Sequence, residues 1–227
     1  RVAQLYRLDT QEGYSLRATG NHRIMTLSGW VPLEELKPGD KLLIHNHQYV
    51  SWPGPGTFDE GFDTAISTIE AGNSDTSNYY EIEMSSSEFC RGFMYGVYAS
   101  RGYKSNSLNG IMIFINETKL CQMIQRILNR FGISSAVEVI KNTFLVTRQT
   151  NAFMYLINNK DLDYSGESHT SVVTFHSRSP DGIEPVYDCT VPEVGKFDAN
   201  SFVVSNCAEQ SLSRWETCCL GEIYLPN

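Results

Sequence analysis

Apolar and polar positions follow different patterns in different parts of the chain. Residues 2–8 and 14–18 have a β-like composition, and the polar stretch 9–13 between them ends in a glycine, which predicts a hairpin. Further strands are predicted at 42–44, 171–175, 182–188 and 201–204. A single helical turn is predicted at 33–36. The two ends of the chain are therefore expected to be mainly β.

The middle of the chain has a helical period instead. One apolar face recurs at three- and four-residue spacings, and Gly132 ends it; its members are Leu120, Met123, Ile124, Ile127, Leu128 and Phe131. The neighbouring segments predict a helix at 89–102, a strand at 111–115, a hairpin of 136–140 with 143–147, and a helix at 152–157. An α/β insert is thus expected between two β regions.

Composition and charge place the boundaries of this insert. The Pro- and Gly-rich stretch 52–56 breaks regular structure, and residues 61–85 are polar and acidic, which predicts a linker. From 86 to 160 there are nine basic and three acidic residues, a net +6 inside a chain of net charge −8. The predicted divisions are a β domain formed by 1–60 with 161–206, the linker, an insert at 86–160, and a distinct segment at 207–227.

Two absences in the sequence bear on its cellular setting. No apolar run approaches the roughly 18 residues of a membrane span, and no signal pattern opens the chain, so a cytoplasmic protein without a membrane partner is expected. The six cysteines lack metal-site spacing and disulfide-scaffold density, which favours free thiols. At 41% apolar residues the chain can bury a core.

The chemistry is concentrated at Asn206-Cys207. An asparagine amide can attack its own backbone carbonyl and cut the chain as a succinimide, while the following thiol can accept an acyl group as a nucleophile. A strand-like run, Ser201-Phe202-Val203-Val204-Ser205, leads directly into this pair, and another stretch, Pro185-Val186-Tyr187-Asp188-Cys189-Thr190-Val191-Pro192, lies upstream. Near the amino end, Thr19-Gly20-Asn21-His22 is followed by a Gly39-Asp40 turn.

Together these motifs resemble an intein, which implies a mainly β Hint (Hedgehog/intein) fold and autocatalytic protein splicing without a cofactor. In this resemblance His22 and Thr19 polarise the amino-terminal scissile peptide, and Asp188 assists the central steps. Ser205 stands where the family has its penultimate histidine, and Gly195 where another histidine is expected. The chain opens without an initiator methionine, so a missing amino-terminal intein segment and N-extein are the expected partners.

A second resemblance concerns the insert. Met94–Gly102 resembles one degenerate copy of the LAGLIDADG homing-endonuclease motif, with Gly96 and Gly102 retained. The acid that would bind Mg²⁺ is replaced by Arg101, which cannot ligate a metal. An insert without cleavage activity is therefore expected, with DNA as a partner through its cations. The alternative is an endonuclease that is still active and cuts DNA at a specific site, which would require Mg²⁺.

The last 21 residues, from Cys207 onward, have a different character. Cys207-Ala208-Glu209 and Cys218-Cys219-Leu220-Gly221-Glu222-Ile223 resemble the active-site loop of a ribonucleotide reductase large subunit. By that resemblance Cys207 is the radical cysteine and Glu209 the base, and the host cysteine doubles as the splicing acceptor. A third interpretation, that the chain is itself a reductase piece, requires reductase sequence throughout, which it lacks.

Overall fold

The computed structural model describes residues 2–46, 52–71, 79–106, 110–139, 143–148, 150–158, 169–187 and 195–205. Its strands are β1 (Val2–Thr10), β2 (Ser15–Thr19), β3 (Arg23–Thr26), β4 (Gly29–Pro32), β5 (Lys41–Asn46), β6 (Gly102–Ser105), β7 (Gly110–Phe114), β8 (Ala136–Val139), β9 (Thr143–Thr147), β10 (His169–Pro185), β11 (Lys196–Ala199) and β12 (Phe202–Ser205). Its helices are α1 (Phe58–Ala71), α2 (Tyr79–Met84), α3 (Ser87–Arg101), α4 (Thr118–Arg130) and α5 (Thr150–Asn158), with a 3₁₀ helix at Leu33–Glu35.

The strands form two antiparallel sheets, and the structure is mainly β, as the sequence predicted. The larger sheet has the order β11-β12-β3-β5-β10-β1-β2, with β4 paired to β3, and we call it the β unit. The smaller sheet, β6-β7-β9-β8, together with α1–α5 is called the α/β unit. None of the helices in the described part of the chain has the length and apolar character that a membrane span requires.

Each unit has its own hydrophobic core. In the β unit the alternate, inward-facing strand residues are buried, among them Leu8, Ile24 and Phe202. In the α/β unit the predicted apolar face of α4 is buried, and α4 packs against α2 and the strands β8 and β9 of the small sheet. The predicted hairpins β1–β2 and β8–β9 are confirmed, because both strand pairs are hydrogen-bonded in antiparallel register.

The prediction of a linker at 61–85 did not include any helix, whereas most of the described residues in this range belong to α1 and α2. In α1, Gly61 and Ala65 are buried against α3, while Ile82 of α2 is buried in the same core. The acidic side chains that suggested a linker lie on the outer side of α1, where Asp59 and Glu60 are exposed. The helix was not predicted because its exposed face is charged and its buried face consists of small residues, which give a weak apolar pattern.

β10 also differs from the prediction, which had two strands separated by a polar break. The structure forms one strand of 17 residues, whose first part pairs with β5 and whose remainder pairs with β1. The polar break is accommodated because the far part of β10 is largely exposed. There Arg17 of β2 donates to Asp181 and Glu184 at 2.5 and 2.8 Å. β6 was not predicted and begins directly at the end of α3.

Candidate functional site

The candidate site lies at the end of β12, the strand that leads to Asn206. Phe202 pairs with Ile44 of β5, and Val204 pairs with Ile24 of β3. On its other edge β12 pairs with β11, where Lys196 lies opposite Ser205. Phe202, Val203 and Val204 are all buried, so the strand is held by neighbours on both edges and by the core. Ser205 is the last described residue.

His22 lies at the same end of β12. Because β12 and β3 are antiparallel, the chain passes from Val204 toward the start of β3 and so toward His22. The His22 ring packs edge-on against Phe197, with 6.3 Å between centroids, and Phe197 pairs with Val204. An imidazole therefore stands beside the strand end, where it could donate or accept a proton.

The turn that carries Thr19 and His22 is tied to the rest of the β unit. The His22 backbone N–H donates to the Thr19 carbonyl at 3.0 Å, which closes the turn. Leu33 N–H donates to the His22 carbonyl, and Glu34 N–H donates to the Gly20 carbonyl, both at 2.8 Å. The 3₁₀ helix thus fixes the turn. The structure brings Thr19, His22 and Ser205 to one end of the β unit.

Several predicted site residues lie outside the described residues, namely Asp188, Asn206, Cys207 and Glu209.

Comparisons with known proteins found partial similarities. No family model matches the chain. A segment of 43 residues is 49% identical to the replicative DNA helicase DnaB of Rhodothermus marinus; it is 19% of this chain and 5% of that helicase. The structure is also similar to a crystal structure of a mutant Ssp DnaB mini-intein variant, with a TM-score of 0.36 and 14% identity over 91% of this chain and 66% of that one.

The degenerate endonuclease motif lies on α3, and its glycines have packing roles. A Cβ on Gly96 would come within 2.8 Å of the Ala65 Cβ in α1, and one on Gly102 within 2.1 Å of the Tyr98 ring. Arg101 is exposed on the last turn of the helix. Within the described ranges no group of three or more His, Cys, Asp or Glu residues could hold a metal ion.

Several basic residues of the insert are engaged inside the protein. Arg91 is 2% exposed, pairs with Glu88 at 2.7 Å and lies over the Phe58 ring. Arg126 forms a two-pronged ion pair with Glu83. Arg130 donates to the Glu83 carbonyl at 2.6 Å and stacks on Trp52, with its Cζ 3.8 Å from the ring centroid. These three cations are occupied by protein groups.

The two described cysteines, Cys90 and Cys121, are free and buried. Burial raises the pKa of each thiol to about 12. A thiolate is the nucleophilic form, so neither residue is suited to accept an acyl group near neutral pH.

Sequence reasoning missed a polar seam between the two units. Gln125 of α4 is 1% exposed and donates to the Glu12 carbonyl at 2.8 Å and to the Ser135 carbonyl at 3.0 Å. Val137 N–H donates to the same Glu12 carbonyl at 3.0 Å. Gly13 lies so close that a Cβ there would be 2.8 Å from that of Val137. The β1–β2 turn is therefore docked on the α/β unit.

A four-residue spacing in α4 was the available signal for this seam. Cys121, Gln125 and Asn129 recur every fourth residue and are all buried. This second face was overlooked because amides at such a spacing resemble a solvated helix surface.

Proposed function

We propose that this chain is part of a protein-splicing element of the Hint type. Asn206 cyclises and cuts the chain, Cys207 is the acyl acceptor, and His22 with Thr19 serves the amino-terminal junction. Asp188 assists the central steps, and no cofactor is needed. The observation that supports this proposal best is the strand register, which brings His22 and Ser205 to the same end of β12, directly before Asn206.

The proposed cleavage step conserves atoms without added reagents. The Asn206 side-chain nitrogen bonds to its own backbone carbonyl carbon, and the peptide bond to Cys207 breaks. The departing nitrogen becomes the amino group of Cys207 and takes up a proton, while Asn206 ends the upstream fragment as a succinimide. A positioned general acid is worth roughly 10²–10⁴-fold for such a proton transfer. With Ser205 in place of a histidine, part of this factor is absent.

The match to the helicase supports an element that is not tied to one host. Its 43 residues exceed the 21 that follow Asn206, so at least 22 of them lie at or before Asn206, in the proposed element. A segment that excises itself can be harboured by different proteins. For this chain we propose a ribonucleotide reductase as the host, because residues 207–227 carry Cys207, Glu209 and the Leu220-Gly221 pattern.

We further propose that the α/β unit is a LAGLIDADG-type insert without nuclease activity. The position of the metal-binding acid holds Arg101, whose guanidinium has no lone pair for Mg²⁺. The crossing of α1 and α3 through Gly61, Gly92 and Gly96 brings the backbones of these two helices into close contact.

Incubation of the purified chain with mass spectrometry tests the splicing proposal. We expect slow release of a peptide beginning at Cys207, over hours to days. The upstream fragment should end in a succinimide, so its mass should be lower by one water than that of the same fragment ending in asparagine with a free carboxylic acid. Asn206→Ala should abolish release, whereas Ser205→His should accelerate it. A peptide released from Asn206→Ala at the parent rate would show that asparagine cyclisation is not the mechanism.

A further inference from the structure

Two contacts from the α/β unit converge on the start of β12. The first begins at Asn129, which is fully buried in the last turn of α4. Its Nδ2 donates to the His45 carbonyl, and the backbone N–H of His45 donates to the Ser201 carbonyl at 2.7 Å. Ser201 is the residue before β12, so the α/β unit is connected to that strand through the backbone of β5.

The second contact passes through Tyr14, which is 2% exposed. Its hydroxyl accepts from the Ser135 N–H at 3.5 Å, and its ring packs edge-on against Phe202 with 6.5 Å between centroids. Burial raises the pKa of Tyr14 to about 12, so the hydroxyl stays neutral under ordinary conditions. Phe202 is the first residue of β12, next to the end point of the first contact.

Beside the hairpin turn the two units are not in continuous contact. A cleft of about 310 Å³ lies between them, with Arg126 and Arg130 on one side and Asp198, Asn200 and Ser201 on the other. Surfaces separated by such a space make few dispersion contacts, so the directional hydrogen bonds beside it contribute to the geometry. The Asn129 and Tyr14 contacts border this turn.

A contribution to stability alone does not explain why an asparagine occupies position 129. Its Oδ1 is buried and finds no hydrogen-bond partner within the described part of the chain. A buried polar atom without a partner costs free energy that a leucine of similar size would avoid. Residues that break a local rule in this way tend to occur at functional positions.

We propose that the α/β unit positions the β11–β12 hairpin, and through it Asn206, with Asn129 and Tyr14 as the positioning residues. This rests on the proposed function, since its consequence for chemistry is the rate of Asn206 cyclisation. Its structural content stands separately: hydrogen bonds from the α/β unit hold His45 and Tyr14, which in turn contact Ser201 and Phe202 at the start of β12.

The test compares Asn129→Leu and Tyr14→Phe with the control Ile124→Val, which alters the buried face of α4 away from the seam. We expect each test variant to slow release of the Cys207 peptide by roughly 10- to 100-fold, since small misplacements of reacting groups have effects of that size. The control should release at the parent rate, and the melting temperature of Asn129→Leu should be no lower than that of the control.

A second measurement separates this proposal from the splicing proposal. In an Asn206→Ala background, where release cannot occur, amide hydrogen exchange at 202–205 should accelerate in both test variants and not in the control. If the parent releases no peptide, the splicing proposal fails while the exchange data still decide this one. The positioning proposal would be overturned if both test variants released the Cys207 peptide and exchanged the amides of 202–205 at the parent rates. It would also be overturned if slower release occurred only together with a matching fall in melting temperature.

Discussion

The turn between β11 and β12 places two non-glycine residues in left-handed backbone. The φ angles are +48° at Asn200 and +77° at Ser201. Asparagine tolerates this region, whereas serine is strained there by roughly 1–2 kcal/mol. Ser201 makes two hydrogen bonds through its backbone, with its N–H donating to Asp198 and its carbonyl accepting from His45. Glycine can keep both bonds.

We therefore expect Ser201→Gly to raise the free energy of unfolding by about 0.5–1 kcal/mol, after the entropic cost of glycine is subtracted. Urea denaturation in an Asn206→Ala background measures this without competing release. Ser201→Ala is the matched control, because alanine keeps a Cβ at positive φ and should give no gain. Equal stabilisation by both variants would show that strain at Ser201 is not the cause.

Among single residues, sequence could identify those whose chemistry is visible in their own neighbourhood. The Thr19–His22 turn and the strand before Asn206 were predicted from local motifs, and the structure places Thr19, His22 and Ser205 at one end of the β unit. The roles of Asp188 and Asn206 stay predictions. Asn129 and Tyr14 could not be found, because their partners lie 84 and 121 residues away in sequence.

Secondary-structure elements were predictable where a single period dominated. α4 and the hairpins β1–β2 and β8–β9 follow one period each, so their types were predicted correctly. α1 was not predicted because its buried positions are Gly61 and Ala65, which have too little apolar surface to form a recognisable apolar face. The interface between α1 and α3 depends instead on the close approach of the two helix backbones.

The crossing of α1 and α3 gives a prediction at this scale. A Cβ on Gly92 would lie 1.9 Å from the Phe58 carbonyl oxygen, so the helices would have to separate. We expect Gly92→Ala to lower the free energy of unfolding by roughly 1–3 kcal/mol, although alanine is the better helix former. Ser100→Ala, at an exposed position of α3, should cause no loss.

Thermal denaturation of the two variants checks this prediction. Because overpacking acts only at the contact, the difference between Gly92→Ala and Ser100→Ala isolates it from helix propensity. A Gly92→Ala variant as stable as the parent would mean that the helices do not approach so closely in solution.

For the whole molecule, composition suggested an insert between two β regions, whereas no feature of the sequence suggested the tight seam between the β unit and the α/β unit. The sequence predicted an insert joined by a linker. The structure instead connects α4 and β8 to the β1–β2 turn through Gln125, Val137 and the Glu12 carbonyl. Backbone carbonyls are present at every residue, so no sequence pattern marks which of them receives a distant amide.

The same organisation changes the expectation for DNA. A net charge of +6 over 86–160 suggested binding through cations, but Arg91, Arg126 and Arg130 are engaged with protein groups. Arg101, Lys104 and Lys119 are exposed on α3, β6 and α4. We therefore expect weak, sequence-independent duplex binding, with a dissociation constant above roughly 1 µM at physiological salt.

Fluorescence anisotropy over a range of salt concentrations measures this directly. Each phosphate contact contributes about −0.9 to the slope of log affinity against log salt, so a few contacts predict a slope no steeper than roughly −4. Lys104→Gln should reduce that slope by about 1 if the residue contacts phosphate, whereas Arg126→Gln should leave it unchanged, because Arg126 is held by Glu83. A steep slope that falls with Arg126→Gln would show that DNA displaces this internal ion pair.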